Sequence, residues 1–208
     1  MTPAESTAWR PEHPGGSWDI LPWLVDTLPR IPLGGVYVEI GSFFGRALSF
    51  VGVTRPDLIL YAIDPWVGGY LDSGEMFPCG EDLVRCNKYG GLIPPFIATK
   101  QEFAPEVLAR TRVIRAQSAR GMLVLEDGSV DCCFIAGDHE RGAVEADIRE
   151  ALRVVKPGGV IGMHDCGWRG PVYEAAVAAL PGAQFAPWPE VRDGWDAAFS
   201  SVMWAVRE

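Results

Sequence analysis

Basic charge is scarce in this chain. Of 208 residues, 18 are Lys or Arg against 27 Asp or Glu, a net charge of -9. A sequence-independent grip on nucleic acid needs cations clustered against phosphates. No basic block occurs, so no nucleic-acid partner is expected. No apolar run approaches the length of a bilayer span, and no basic segment leads into an apolar one at the N-terminus. Neither membrane insertion nor a signal peptide is therefore expected. The cysteines are odd in number: Cys79, Cys86, Cys132, Cys133 and Cys166. Without an export signal, that set reads as reduced and cytoplasmic. Cys79 and Cys86 are too few and too far apart for a zinc site. Cys132 and Cys133 sit in an apolar run, as small core residues do. Internal repeats and low-complexity tracts are lacking too. What is present is an ordinary globular composition, 48% hydrophobic and 22% charged, long enough for one substantial core. A single domain over 1–208 is expected.

The periodicity alternates strands with helices. Residues 1–16 are broken by Pro and Gly and read as an irregular arm. Ser17 caps an expected helix to about Leu28, closing an N-terminal segment of 1–33. Strands are expected at 36–40, 58–63, 112–115, 131–136 and 160–164, with helices near 45–53, 95–110, 119–125, 142–155 and 171–180. Residues 65–93 show no clear period and read as a long irregular segment, a lid or binding loop. Lys156-Pro157-Gly158-Gly159 reads as a break before the fifth strand. Two terminal strands, 183–188 and 200–206, close the chain. Alternation of this kind implies an α/β fold with a mostly parallel sheet and helices on both faces.

The chemistry-bearing residues begin at Val-Tyr-Val-Glu-Ile-Gly-Ser-Phe-Phe-Gly, 36–45. A buried strand ends in an acid and a glycine turn follows. The next strand also ends in an acid, Asp64. Strand, glycine turn, helix, strand, acid is how a nucleotide-type cofactor is held at the carboxyl edge of a parallel sheet. The G-x-G-x-x-G pattern is absent, since Gly41 and Gly45 are spaced G-x-x-x-G, which argues against a NAD-dependent reductase. Glu39, Gly41 and Gly45 instead resemble motif I of the class I S-adenosylmethionine (SAM) dependent methyltransferases, E/D-x-G-x-x-x-G. A second block, Asp131 to Asp165, is similar to the small-molecule family often called methyltransferase 24. Members show F-I-D-G-D-H-S-Y, a helix with an aspartate, L-K-P-G-G, and a strand ending H-D. The joined blocks cover about residues 34–165.

That resemblance implies a Rossmann-like class I methyltransferase fold, a seven-stranded mostly parallel sheet with a C-terminal antiparallel strand pair. It implies SAM as cofactor, held by Glu39, Gly41, Ser42, Gly45, Asp64, Trp66, Gln117, Ser118 and Asp138. Asp64 would take the ribose hydroxyls, and Gln117 and Ser118 the adenine edge. It implies methyl transfer to a small-molecule acceptor, a hydroxyl above all, with His139 or His164 as base and Asp165 orienting His164 or binding the acceptor. The plain alternatives are a helix-start residue for His139 and a core histidine for His164. One position departs from the pattern: the first aspartate after the fourth strand is Ala136 here. A hard cation wants several oxygen ligands. Magnesium thus loses an expected ligand, and either a rearranged site at Asp138, His164 and Asp165 or no metal follows, with no metal favoured. Asp147 reads as a solvated helix residue, Arg141 and Arg169 as anion holders or plain surface charge, and Trp168 as a neighbour of the acceptor. A SAM-dependent cyclase or lyase, and a non-catalytic SAM-binding subunit, stay open beside methyl transfer. A homodimer is compatible with the Trp-bearing N-terminal helix but not required by it.

Overall fold

The computed structural model describes residues 20–43, 45–66, 69–70, 76–77, 105–186 and 202–208. Seven strands form one sheet: β1 (Val36–Ile40), β2 (Ile59–Asp64), β5 (Thr111–Arg115), β6 (Val130–Ile135), β7 (Val155–Met163), β8 (Gln184–Phe185) and β9 (Met203–Val206). Their spatial order is β5-β2-β1-β6-β7-β9-β8. β1 is parallel to β2 and β6, β2 to β5, and β6 to β7, while β9 runs antiparallel to β7 and β8. The expected sheet, with its antiparallel C-terminal pair, is the one observed. All six residues of β6 are buried. Both faces of such a central parallel strand are covered, which is why it is apolar apart from Asp131, whose carboxylate accepts from Val36 N–H and Lys156 Nζ.

Helices cover the sheet. These are α1 (Leu21–Thr27), α2 (Arg46–Thr54), α3 (Pro105–Arg110), α4 (Ser118–Met122), α5 (Arg141–Val154) and α6 (Pro171–Ala179). On α5 the buried stripe is Val144, Asp147, Ile148, Ala151 and Val154. That spacing puts all five on one face. Asp147 is therefore not the solvated residue its charge suggested; it lies on the core side, 1% exposed. On the other face of the sheet, Trp23 of α1 stacks on Phe134, ring centroids 4.9 Å apart. Its indole lies flat where β7 has Gly162, and a Cβ there would come within 2.3 Å of the ring.

Several boundaries differ from those the sequence suggested. Ahead of α1 only Ile20 is described, and a 3-10 turn, Leu28–Arg30, carries the helix on past Thr27. The segment 65–93 is not wholly irregular: Gly69–Tyr70 (β3) pairs antiparallel with Met76–Phe77 (β4). Lys156–Gly159 does not separate α5 from its strand, because β7 already begins at Val155. Gly158 N–H donates to the Arg207 carbonyl at 2.7 Å, and Arg207 N–H to Gly159 at 2.9 Å, so the chain end supplies ladder bonds that the turn residues would otherwise lack. Cys132 and Cys133 are fully buried thiols. Among the described residues, no helix is long and apolar enough to cross a membrane.

Candidate active site

The sheet order reverses between β1 and β6, so the loops after these two strands diverge and leave a crevice at their carboxyl ends. The predicted residues gather along that edge. Gly41 follows β1 with φ +74, a backbone region natural only to glycine. A Cβ on it would stand 2.0 Å from the Ala136 carbonyl oxygen and 2.8 Å from the Gly137 nitrogen. The glycine is thus demanded by the neighbouring strand end as well as by the turn. Gly41 N–H donates to Ile63 and Ala136 N–H to Ile40, each at 2.9 Å. These bonds lace the turn to both flanking strands. Gly45, φ +71, opens α2, and its carbonyl accepts from Ser49 N–H and Oγ.

Glu39 is buried at the end of β1, 2% exposed, and the Tyr37 hydroxyl donates to its Oε2 at 3.4 Å. Burial and the adjacent Glu39 carboxylate push the Tyr37 phenol well above its ordinary range. Ser42 is buried in the turn, its hydroxyl donating to the Glu39 carbonyl. Asp64 faces this turn from the end of β2. Its Oδ2 accepts Phe43 N–H at 2.9 Å and its Oδ1 accepts Trp66 N–H at 2.6 Å. Burial raises the Asp64 carboxyl, with the two N–H bonds opposing. The Trp66 indole N–H in turn donates to the Phe43 carbonyl at 2.8 Å. Phe43 and Trp66 both carry positive φ. The acid thereby fastens two strained loops together, a role the sequence did not reveal. Trp66 is 4% exposed, its indole held by the turn.

Gln117 and Ser118 open α4 after β5. Gln117 is exposed, and Ser118 donates its hydroxyl proton to Asp147 Oδ1. Asp138 is exposed on the loop after β6, and its Oδ1 takes the Glu140 N–H at 2.9 Å, tightening the turn into α5. The third group lies where β6 and β7 end. His164 N–H donates to the Ile135 carbonyl, extending the ladder by one residue. Asp165 then turns into left-handed backbone, φ +59. Its Oδ2 lies 3.0 Å from His139 Nε2 and 3.0 Å from His164 Nδ1, so one oxygen serves two imidazoles. Burial alone would raise the Asp165 carboxyl. The hydrogen bonds and charges of His139 and His164 outweigh that and hold it well below the usual carboxylate range. Strained Asp backbone of this kind persists only where its surroundings over-determine it.

Arg141 does not reach into the crevice; it is exposed and bridges Glu145 at 3.0 Å and Glu174 at 3.5 Å. Arg169 is also exposed and lies over the Tyr173 ring at 5.4 Å. Trp168 has no described side chain. Most of the expected lid, 65–93, lies outside the described residues. Among those described, no three of His, Cys, Asp and Glu gather to hold a metal ion. The residue at 136 offers a methyl where a cation would want a carboxylate. Among the described residues the donor set does not fit magnesium.

The family model described as a methyltransferase domain matches residues 38–166. Cofactor-bound Rv0187 from MTB superposes with a TM-score of 0.60 at 16% identity, over 98% of this chain and 86% of that one. A Corynebacterium glutamicum protein gives 0.55 at 15%, over 98% and 88%. A geranyl diphosphate methyltransferase in complex with SAM gives 0.51 at 12%, over 89% and 83%. At such identities the likeness is one of fold. No curated protein matches the chain in sequence.

Proposed function

The chain belongs to the methyltransferase domain family and is a SAM-dependent methyltransferase; from that premise we propose that it methylates a small molecule on oxygen, with His139 or His164 as general base. The observation that carries the proposal is the single Asp165 oxygen shared by two imidazoles at the mouth of the crevice. A carboxylate so placed fixes ring orientation and tautomer. A neutral His139 that donates its Nε2 proton keeps its lone pair on Nδ1; a neutral His164 that donates from Nδ1 keeps it on Nε2. Either ring can then accept the hydroxyl proton, and Asp165, held ionised, stabilises the imidazolium that results. We further propose a cytoplasmic setting, on the odd number of cysteines.

The other half of the edge would hold the cofactor. SAM supplies an electrophilic methyl on a sulfonium sulfur. Glu39, Gly41, Ser42 and Gly45 would hold its amino-acid part, Asp64 its ribose, Gln117 and Ser118 its adenine, with Asp138 beside it. Glu39 brings buried negative charge toward the ammonium or sulfonium. Asp64 spends one lone pair of each oxygen on backbone N–H groups and keeps others for hydroxyl donors. The chain's contribution to rate is then alignment of acceptor with methyl, together with proton removal.

The test is turnover of methyl-labelled SAM with hydroxyl-bearing acceptors, read by product mass. Gain of one methyl group supports methyl transfer; an unmethylated product points to cyclase or lyase chemistry. Replacing His139 and His164 together by Ala should lower turnover by about 100-fold or more. Full activity in that double variant would overturn the base assignment.

A further inference from the structure

The Ser118–Asp147 pair is a buried polar contact that the chemistry above does not use. Asp147 comes from α5 and Ser118 from the start of α4 after β5, so the contact joins two helices at the site. Ser118 Oγ–H donates to Asp147 Oδ1. Asp147 is 1% exposed, and its second oxygen, Oδ2, has no hydrogen-bond partner among the described residues. That oxygen sits under Gly137, whose Cβ would lie 3.2 Å from it. Nothing larger than glycine leaves room there without crowding the carboxylate. Ser118 itself is only half-buried. Its hydroxyl proton is therefore committed inward while the residue keeps part of its surface open.

We infer that Asp147 sets the polarity of Ser118, making its oxygen an obligate acceptor that selects a purine bearing an exocyclic amino group. An ionised carboxylate accepts and cannot donate. Its partner hydroxyl must then give its proton inward, and what remains toward the ligand is lone pairs. The 6-amino group of adenine can donate to them. The 6-keto group of hypoxanthine cannot, and would meet the oxygen lone pair to lone pair. Sites built around one hydrogen bond reject the analogue that lacks it far more strongly than apolar pockets reject a missing methylene. This inference rests on the proposal that Gln117 and Ser118 border the adenine. Asp147 is a positioning residue in it, acting through Ser118.

The groups facing Asp147 are few. Ser118 meets it from α4, Asp138 from the loop after β6, and the Cys133 thiol from β6 itself. Burial, reinforced by Asp138 and opposed by the Ser118 hydrogen bond, brings the Asp147 carboxyl up to about 6. Below that pH a protonated Asp147 can donate to Ser118 and free the hydroxyl proton to point outward. Selectivity should then fade as the solution is acidified.

The experiment is calorimetric titration of the full chain with S-adenosylhomocysteine and S-inosylhomocysteine, at pH 7.5 and pH 5, roughly one and a half units above and one below that midpoint. The wild type should prefer the adenosyl compound by about 30-fold or more at the higher pH and by clearly less at the lower. Asp147→Asn keeps the shape but lets an amide donate to Ser118, and should bring the preference to within about threefold. Ser118→Ala should do the same. Undiminished preference in both variants, or a wild type that binds the two compounds equally, overturns the inference while leaving the cofactor assignment intact. If the wild type binds neither compound, the cofactor assignment itself fails. Circular dichroism of each variant separates loss of selectivity from loss of fold.

Discussion

Replacing Gly41 by Ala should be among the most damaging single-methyl changes in this protein. Two separate costs add. An L-residue held in left-handed backbone costs about 1–2 kcal/mol, and φ here is +74. The new Cβ would also stand 2.0 Å from the Ala136 carbonyl oxygen and 2.5 Å from its carbon. Both atoms are backbone, so no rotamer change relieves the clash. The end of β6 must retreat by about 1 Å or more to reach ordinary contact. That retreat strains the Ala136 N–H to Ile40 carbonyl bond, 2.9 Å in the native fold, at a further cost of about 1–3 kcal/mol. The sum, about 2–5 kcal/mol, corresponds to a Tm lower by roughly 10 °C in a chain of this size. Gly158→Ala isolates the first cost, because φ is +80 and nothing lies within 4 Å of its would-be Cβ. Gly142→Ala, inside α5 with equally open surroundings, should instead stabilise by about 0.5–1 kcal/mol. Urea unfolding of the three variants checks the order. If Gly41→Ala falls within about 1 kcal/mol of Gly158→Ala, the close-approach argument is wrong.

Three further outcomes are expected. Asp64→Asn leaves one acceptor where two backbone N–H groups now bond, and should weaken S-adenosylhomocysteine binding about tenfold or more by calorimetry. Asp165 has a lowered native pKa, so its stabilisation is complete above the unfolded carboxylate value near 4 and is lost as pH falls below it; Asp165→Asn should be less stable than wild type in urea at pH 7, with the gap narrowing toward pH 2. Asp147 has the opposite sign. Its carboxyl is raised to about 6, so ionisation penalises the folded state progressively from about pH 4 through 6. Asp147→Asn should therefore gain on wild type across that window, by at most about 3 kcal/mol at neutral pH, and a flat difference would contradict the burial argument.

The fold was legible wherever burial writes a period into the chain. β1 and β6 are buried along most of their length and read as largely apolar stretches, and α5 shows its buried stripe at helical spacing. The glycine turn and the two strand-end acids were legible for the same reason, since only a few residue types serve there. Partnership was not. Nothing in the sequence says that Asp64 grips Phe43 and Trp66, or that Ser118 meets Asp147, because each pair is joined by topology across more than one element. Asp147 was misread outright: a charged residue on a helix is usually solvated, and only the packing of α5 onto the sheet turns it inward. The Lys156–Gly159 turn was read as a break because its ladder partner, Arg207, lies at the far end of the chain.

Trp23 lies outside residues 38–166, the stretch that the family pattern matches. Yet its indole occupies the place that a side chain at position 162 would fill, and it stacks on Phe134, whose ring lies 6.1 Å from that of His164. Position 162 and position 23 are thus a coupled pair, a missing side chain on one filled by a large one on the other. A fragment cut at the edge of the recognisable motifs would carry a hole in the floor beneath its own histidine. The family match begins at residue 38, but the packing beside His164 draws on a residue that comes before it.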